Sequence, residues 1–313
     1  MQTANLKASI ELSDQQGGGE FELSACLYGP QNGPGSDWLF FCLPGGGNTG
    51  KLFDLGQADG ISYSFADHIT QHGHSVITMD TPGTAGNPLP QTHPFLTPRK
   101  SASYLAQAFV QFKQQAGMTD MRTVACGHSM GGMMSILTNS QLKGHHPEAA
   151  HEALLMIGSS AGGLEWGMTD AERPYVGQPE ALEDNLQSIV MERYGAEFPV
   201  YPSGPRFGSK SFGGETEASN QLLHTVICEL FAAGGTTSMV PGGFMAEVNQ
   251  VTEPMMMVFG EHDLGVPPEE AVKDFDGAKS MRVHIMEGAS HNSFAFKSII
   301  PMCAAVDDWV RSL

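Results

Sequence analysis

The sequence predicts an α/β fold: a mostly parallel sheet with helices on both faces. Apolar runs of strand length recur along the chain, they alternate with segments of helical periodicity, and several are apolar at every position. A strand apolar at every position is buried on both faces, as in parallel sheets covered by helices on each side.

The elements follow in order. Alternating residues in 6–12 and 21–27 predict a hairpin, with 13–19 as its turn. Trp38–Leu43 is a continuous apolar run stopped by Pro44 and three glycines, a buried strand. Phe65 and Ile69 mark a short helix face with Gly73 as its stop, and Ser75–Met79 is the next strand. Leu105, Ala108, Phe109 and Phe112 recur at helical spacing before Gly117. A strand at 123–126, a helix at 133–142 and a strand at Ala153–Ile157 come next. The pattern then lapses and resumes at 255–259 and 282–286. Ile299, Cys303, Val306, Val310 and Leu313 form one face of a closing helix. The 87 residues of 164–250 are too many for a loop. They read as a mainly helical cap inserted into a core of residues 1–163 and 251–313.

Composition excludes several classes of function. With 16 Lys and Arg against 34 Asp and Glu, the net charge is −18. Such a surface repels phosphates and anionic lipid heads, so neither nucleic acid nor a membrane is an expected partner. No apolar run is long enough to cross a bilayer, and Gln2, Asn5, Lys7 and Glu11 leave no signal-peptide core. The five cysteines, Cys26, Cys42, Cys126, Cys228 and Cys303, stand in apolar surroundings without a Cys-x-x-Cys pair. They read as small buried hydrophobes in a reducing compartment, and the protein as cytoplasmic.

The most informative segment is Gly127-His128-Ser129-Met130-Gly131, a Gly-x-Ser-x-Gly between a predicted strand and a predicted helix. That arrangement lifts a serine on a strained turn above the sheet, and the helix N-terminus beneath it favours developing negative charge. A serine hydroxyl needs an imidazole base and a carboxylate to become a nucleophile. Asp263 follows the strand at 255–259, and His291 follows the strand at 282–286. Both stand at strand C-terminal ends, where open α/β sheets build their sites.

On these residues, and on Asp80-Thr81-Pro82-Gly83 after a strand, the chain resembles the α/β-hydrolase family over nearly its whole length. The resemblance implies that Ser129 attacks a carbonyl, His291 takes and returns the proton, and Asp263 orients the imidazole. It also implies an oxyanion hole, from the N–H of Met130 and a second N–H in the turn Leu43-Pro44-Gly45-Gly46-Gly47-Asn48. Gly46 and Gly47 are both candidates for that second donor. The family often has His-Gly there, where this chain has Pro44-Gly45.

Two other motifs compete with the one at Ser129. Gly45 to Lys51 satisfies Gly-x4-Gly-Lys, but Leu52 stands where a phosphate loop needs Ser or Thr. Gly158-Ser159-Ser160-Ala161-Gly162 is a second Gly-x-Ser-x-Gly, followed by a poor helix. Glu165 is the reserve carboxylate for the triad. His68 and His72 stand four apart on a helix with His74 beyond, a conceivable metal pair. No cysteine or carboxylate cluster completes a ligand set, and they read as solvated surface histidines. His145, His146 and His151 read as loop residues. His128 is expected to pack, with a lesser role in substrate contact, and Trp166 is a candidate substrate contact in the cap. Tyr175, Tyr194, Phe198, Tyr201, Phe207, Phe212, Phe231 and Phe244 give the cap further aromatic material. Glycine-rich stretches at 207–214 and 234–243 are candidate hinges for its opening.

The expected activity is hydrolysis of a carboxylic ester, or a lactone, of a fairly apolar small molecule through an acyl-enzyme, with no cofactor and no metal. Carbon–carbon hydrolase, thioesterase and perhydrolase chemistry use the same triad, and a non-catalytic ligand-binding member of the fold keeps the same residues.

Overall fold

The computed structural model describes residues 1–12, 18–31, 38–198, 211–228 and 230–313. Among the described residues ten strands run β1 (Gln2–Glu11), β2 (Glu20–Gly29), β3 (Trp38–Leu43), β4 (Gln57–Ala58), β5 (Ile61–Ser62), β6 (Ser75–Met79), β7 (Arg122–His128), β8 (Ala153–Ile157), β9 (Met255–His262) and β10 (Met281–Ser290). The helices are α1 (Phe65–Gln71), α2 (Pro98–Gln115), α3 (Met130–His145), α4 (Pro179–Tyr194), α5 (Glu217–His224), α6 (Gly234–Met239), α7 (Met245–Val248), α8 (Pro268–Ala271) and α9 (Ile299–Arg311). Eight strands form one sheet in the order β1-β2-β6-β3-β7-β8-β9-β10. The hairpin β1–β2 joins antiparallel at one end, and every pairing from β6 to β10 is parallel.

The period of two in β3 divides the core. Leu39, Phe41 and Leu43 face one apolar cluster with Phe109 and Leu137, residues of α2 and α3. Trp38, Phe40 and Cys42 face the other, with Ile69 of α1 and Val306 of α9. Helices therefore cover both faces, as the fully apolar strands require. None of the described helices is long and apolar enough to cross a membrane.

Between β8 and β9 the chain leaves the sheet and forms α4 to α7. This insertion has a small core of its own, including Leu182, Leu186, Ile189, Val190 and Val240. Arg99 of α2 ties it down, with Nε and Nη2 donating to the Glu247 carboxylate at 2.6 and 2.9 Å and Nη1 donating to Glu183 at 3.2 Å. The glycine-rich stretch at 234–243 is not an open hinge. Gly234 to Met239 is helical, and Gly234 faces Met130, Met133 and Met134 of α3. Tyr201, residues 207–210 of the stretch 207–214, Phe207 among them, and most of the expected turn at 13–19 lie outside the described residues.

One histidine expected at the surface is interior: His74 is fully buried and shares a 2.7 Å contact with Asp307 of α9. His151 stands in the loop before β8, as expected, with its side chain buried against the rings of Phe41 and Phe109 and Nδ1 3.1 Å from Thr123 Oγ1. A single polar residue at a strand entrance carries no pattern from which such burial can be read.

Burial, and next the positive charge of Lys113, push His151 down to about 3 from an ordinary 6.5. The unfolded chain therefore binds the extra proton across that window. Stability is full above pH 6.5 and declines as the pH falls toward 3. Replacing His151 with Phe should flatten the slope between pH 6 and 4 by about one proton, or about 1.4 kcal/mol per pH unit. Urea titrations at the two pH values measure it, and an unchanged slope would contradict the assignment.

Candidate active site

Strand β7 ends at His128 and helix α3 begins at Met130, so Ser129 alone makes the turn. Its backbone sits at φ 53°, ψ −122°, a conformation that costs a residue with a Cβ about 1–3 kcal/mol. Its N–H donates to the Ile157 carbonyl on β8 at 2.9 Å, and its carbonyl accepts from Gly132 N at 2.9 Å. A Cβ on Gly127 would stand 2.1 Å from the Gly131 oxygen, and one on Gly131 only 2.0 Å from the Leu43 oxygen. Strand, helix and β3 thus meet backbone to backbone, which is why the motif needs both glycines. The competing serine is built differently. At Gly158-Ser159-Ser160 the positive φ falls on Gly158, and only a 3-10 turn at Glu165–Gly167 follows.

Asp263 and His291 emerge from neighbouring strand ends, past β9 and β10, and their side chains meet: His291 Nδ1 lies 2.6 Å from Asp263 Oδ1. Asp263 also accepts from Leu264 N at 2.7 Å and from Gly260 N at 3.3 Å. Burial would raise this carboxyl, but the charge and hydrogen bond of His291, with the Leu264 N–H, outweigh it and hold the group at about 2. Glu165, the reserve carboxylate, is exposed.

His128 is fully enclosed. Its Nε2 contacts the backbone carbonyl of His291 at 2.9 Å, and the two rings lie 4.9 Å apart. A carbonyl only accepts, so Nε2 carries the hydrogen. Burial, and next the proximity of His291, push His128 down to about 3, so it stays neutral beside the second imidazole.

A cavity of about 230 Å³ opens over these groups. Ser129, Met130, His128, His291 and Trp166 all line it, as do Gly46 and Asn48 of the turn after β3. Asp263 lies on a smaller adjoining recess shared with Ser129, His291 and Ser160. Gly47 is not on the wall of either cavity; its carbonyl accepts from Cys228 N. Met130, as the first residue of α3, has no acceptor for its N–H within the helix. Trp166 stands at the mouth, 66% exposed, its Nε1 donating to the Leu264 carbonyl at 3.3 Å. A larger open recess of about 750 Å³ runs along β10 and contains none of the triad candidates.

The loop from Gly45 to Lys51 is occupied as an anion site by the protein itself. Gly50 N donates to Asp80 Oδ1 at 2.7 Å, and Gly86 N to the other oxygen at 2.8 Å. Asp80 of the Asp-x-Pro-Gly segment therefore braces the turn after β3, and the Gly50 N–H is taken.

Ser290, Asn292 and Asn48 are site residues that the sequence reading did not single out. Ser290 Oγ donates to the Gly213 carbonyl at 2.7 Å, His291 N to Ser211 at 3.0 Å, and Asn292 Nδ2 to Phe212 at 2.5 Å. The Phe212 ring meets the His291 ring edge-on at 5.7 Å. A stretch of the insertion thus grips the loop that carries His291. Polar residues on both sides of a histidine were the one signal available. Asn48 is nearly buried in the cavity wall, with its Oδ1 unpartnered.

Gly131→Ala should lower unfolding stability by about 2–3 kcal/mol, since neither Leu43 nor the helix can yield freely. A urea melt measures this, and a loss below a few tenths of a kcal/mol would mean that the close approach is relaxed.

A profile of the alpha/beta hydrolase family matches residues 40–298. No curated protein matches the sequence significantly. Among solved structures, the chain is similar to a thermophilic esterase from Thermogutta terrifontis with malate bound, at TM-score 0.62 and 13% identity over 100% of this chain and 99% of that one. A soluble variant of monoglyceride lipase from Saccharomyces cerevisiae, in complex with a substrate analog, gives TM-score 0.65 and 11% identity over 97% and 94%. Monoacylglycerol lipase from Paleococcus ferrophilus gives 0.58 and 13% over 100% and 99%. At such identities the likeness is one of fold. With its profile match spanning most of the chain and its eight-stranded, mainly parallel sheet, the chain belongs to the α/β-hydrolase family.

Proposed function

We propose that this α/β hydrolase cleaves a small uncharged carboxylic ester through an acyl-enzyme formed on Ser129. The observation that carries the reading is the 2.6 Å His291–Asp263 pair on the same recess as the strained Ser129. The described residues lining the 230 Å³ cavity include no Lys, Arg, Asp or Glu, which favours a neutral ligand. Residues 164–250 serve as a cap over it.

In this mechanism the Ser129 oxygen attacks the ester carbonyl while His291 takes the hydroxyl proton. The carbonyl π electrons move to oxygen, and the N–H groups of Met130 and Gly46 hold the resulting oxyanion. The ionised Asp263 stabilises the imidazolium and fixes its tautomer. Collapse breaks the bond to the alkoxy group, which leaves as alcohol with the proton from His291. Water then attacks the acyl carbon with His291 again as base, releasing the acid and restoring Ser129. Neutral His128 matters here, because a second charged imidazole would oppose the one that forms.

Labelling with a fluorophosphonate ester, followed by peptide mapping, tests the reading. The adduct should fall on Ser129, vanish in Ser129→Ala and survive in Ser160→Ala. Hydrolysis of p-nitrophenyl butyrate should drop by about 10⁴-fold or more in Ser129→Ala and in His291→Ala. An adduct on Ser160 would move the nucleophile, and no adduct with tight binding of ester analogues would favour a ligand-binding protein. Because Asp263 is held near 2, the Asp263 carboxyl should not set the acid limb of the pH–rate profile above pH 4. Carbon-13 NMR titration of the Asp263 carboxyl checks this: a midpoint well below pH 4 agrees, and a midpoint above pH 4 that coincides with the acid limb overturns it.

A further inference from the structure

The ring of Phe231 is wedged between two glycines. A Cβ on Gly46 would lie 2.7 Å from its Cε2, and a Cβ on Gly235 only 1.9 Å from its Cζ. Gly46 belongs to the turn after β3, and Gly235 to α6 of the insertion. All three residues line the cavity that holds Ser129 and His291. A third side of the ring meets Tyr194 of α4, with centroids 5.9 Å apart. The ring therefore has almost no room to swing, unlike the exposed Trp166 at the mouth.

From this wedge we infer that Phe231 is the specificity-determining residue that limits the enzyme to short-chain esters; the inference rests on Ser129 being the nucleophile. A carbonyl seated with its oxygen toward Met130 and Gly46 has one substituent running along the Gly46 turn, and that substituent meets the Phe231 face. The cavity of about 230 Å³ is already below the 300 Å³ or more usual for drug-sized ligands. Removing the ring joins its volume to the cavity at the end nearest the reacting carbon, so the gain falls where chain length is read. The two glycines point the same way: their missing side chains make the slot that the ring fills.

The test uses the whole protein and p-nitrophenyl esters of two, four, eight and twelve carbons. Wild type should prefer the two- and four-carbon esters. Phe231→Ala should raise the ratio of kcat/KM for the eight-carbon over the four-carbon ester by about tenfold or more, with Phe231→Leu intermediate. Phe231→Trp should lower that ratio below the wild-type value. Fluorophosphonate labelling of each variant reports an intact nucleophile, and the Leu and Trp forms carry the comparison if the Ala form is unstable. Variants that label normally but keep the wild-type ratio overturn the role of Phe231 alone. A wild type that neither labels nor hydrolyses any ester overturns the esterase reading and this inference with it.

Discussion

The backbone at Ser129 is the constraint around which the remaining parts are arranged. A serine held at φ 53° is unfavourable by itself and persists only because its neighbours leave no alternative. Three backbones converge on it: Leu43 at the end of β3, Ile157 at the end of β8, and the first turn of α3. The same convergence sets where everything else stands. The turn after β3 lies beside the serine, and the Asp and His loops follow from the next strands along the sheet.

Charge at the site is managed by burial as much as by pairing. Asp263 is nearly enclosed yet ionised, because one imidazole and two backbone N–H groups face it. His128 is enclosed and neutral, because burial and next the neighbouring His291 disfavour its charged form more than the carbonyl it donates to favours it. Two imidazoles side by side would compete for a proton in water. Here one is bound to a carboxylate and the other to a carbonyl, so their roles are separated before substrate arrives.

Much of the sheet was legible because β3 and β8 are apolar at every position and β6 nearly so, each ending at a glycine, proline or polar turn. The boundaries of β3, β6 and β8 coincide with the apolar runs themselves. The turn at Ser129 and the paired Asp263 and His291 were legible as motifs, since the chemistry proposed for them demands fixed residue types at strand ends. What the sequence could not yield were contacts made at a distance. The grip of residues 211–214 on the His291 loop uses backbone carbonyls, which any residue supplies. The Phe231 slot depends on two glycines 189 positions apart. The burial of His74 and of His151 left no pattern for the same reason, because their partners Asp307 and Thr123 lie 233 and 28 residues away.

The grip on the His291 loop also bears on how such a protein diversifies. Lids of hydrolases look like modules that evolution, or an engineer, could exchange for another to acquire a new substrate. Here the insertion is not separable in that way. Three hydrogen bonds from Ser290, His291 and Asn292 end on residues 211 to 213, so a transplanted lid without an equivalent stretch would remove these supports from the loop that carries His291. A chimera that keeps this short stretch and changes the surroundings of α4 and α6 preserves the His291 loop while redrawing the pocket.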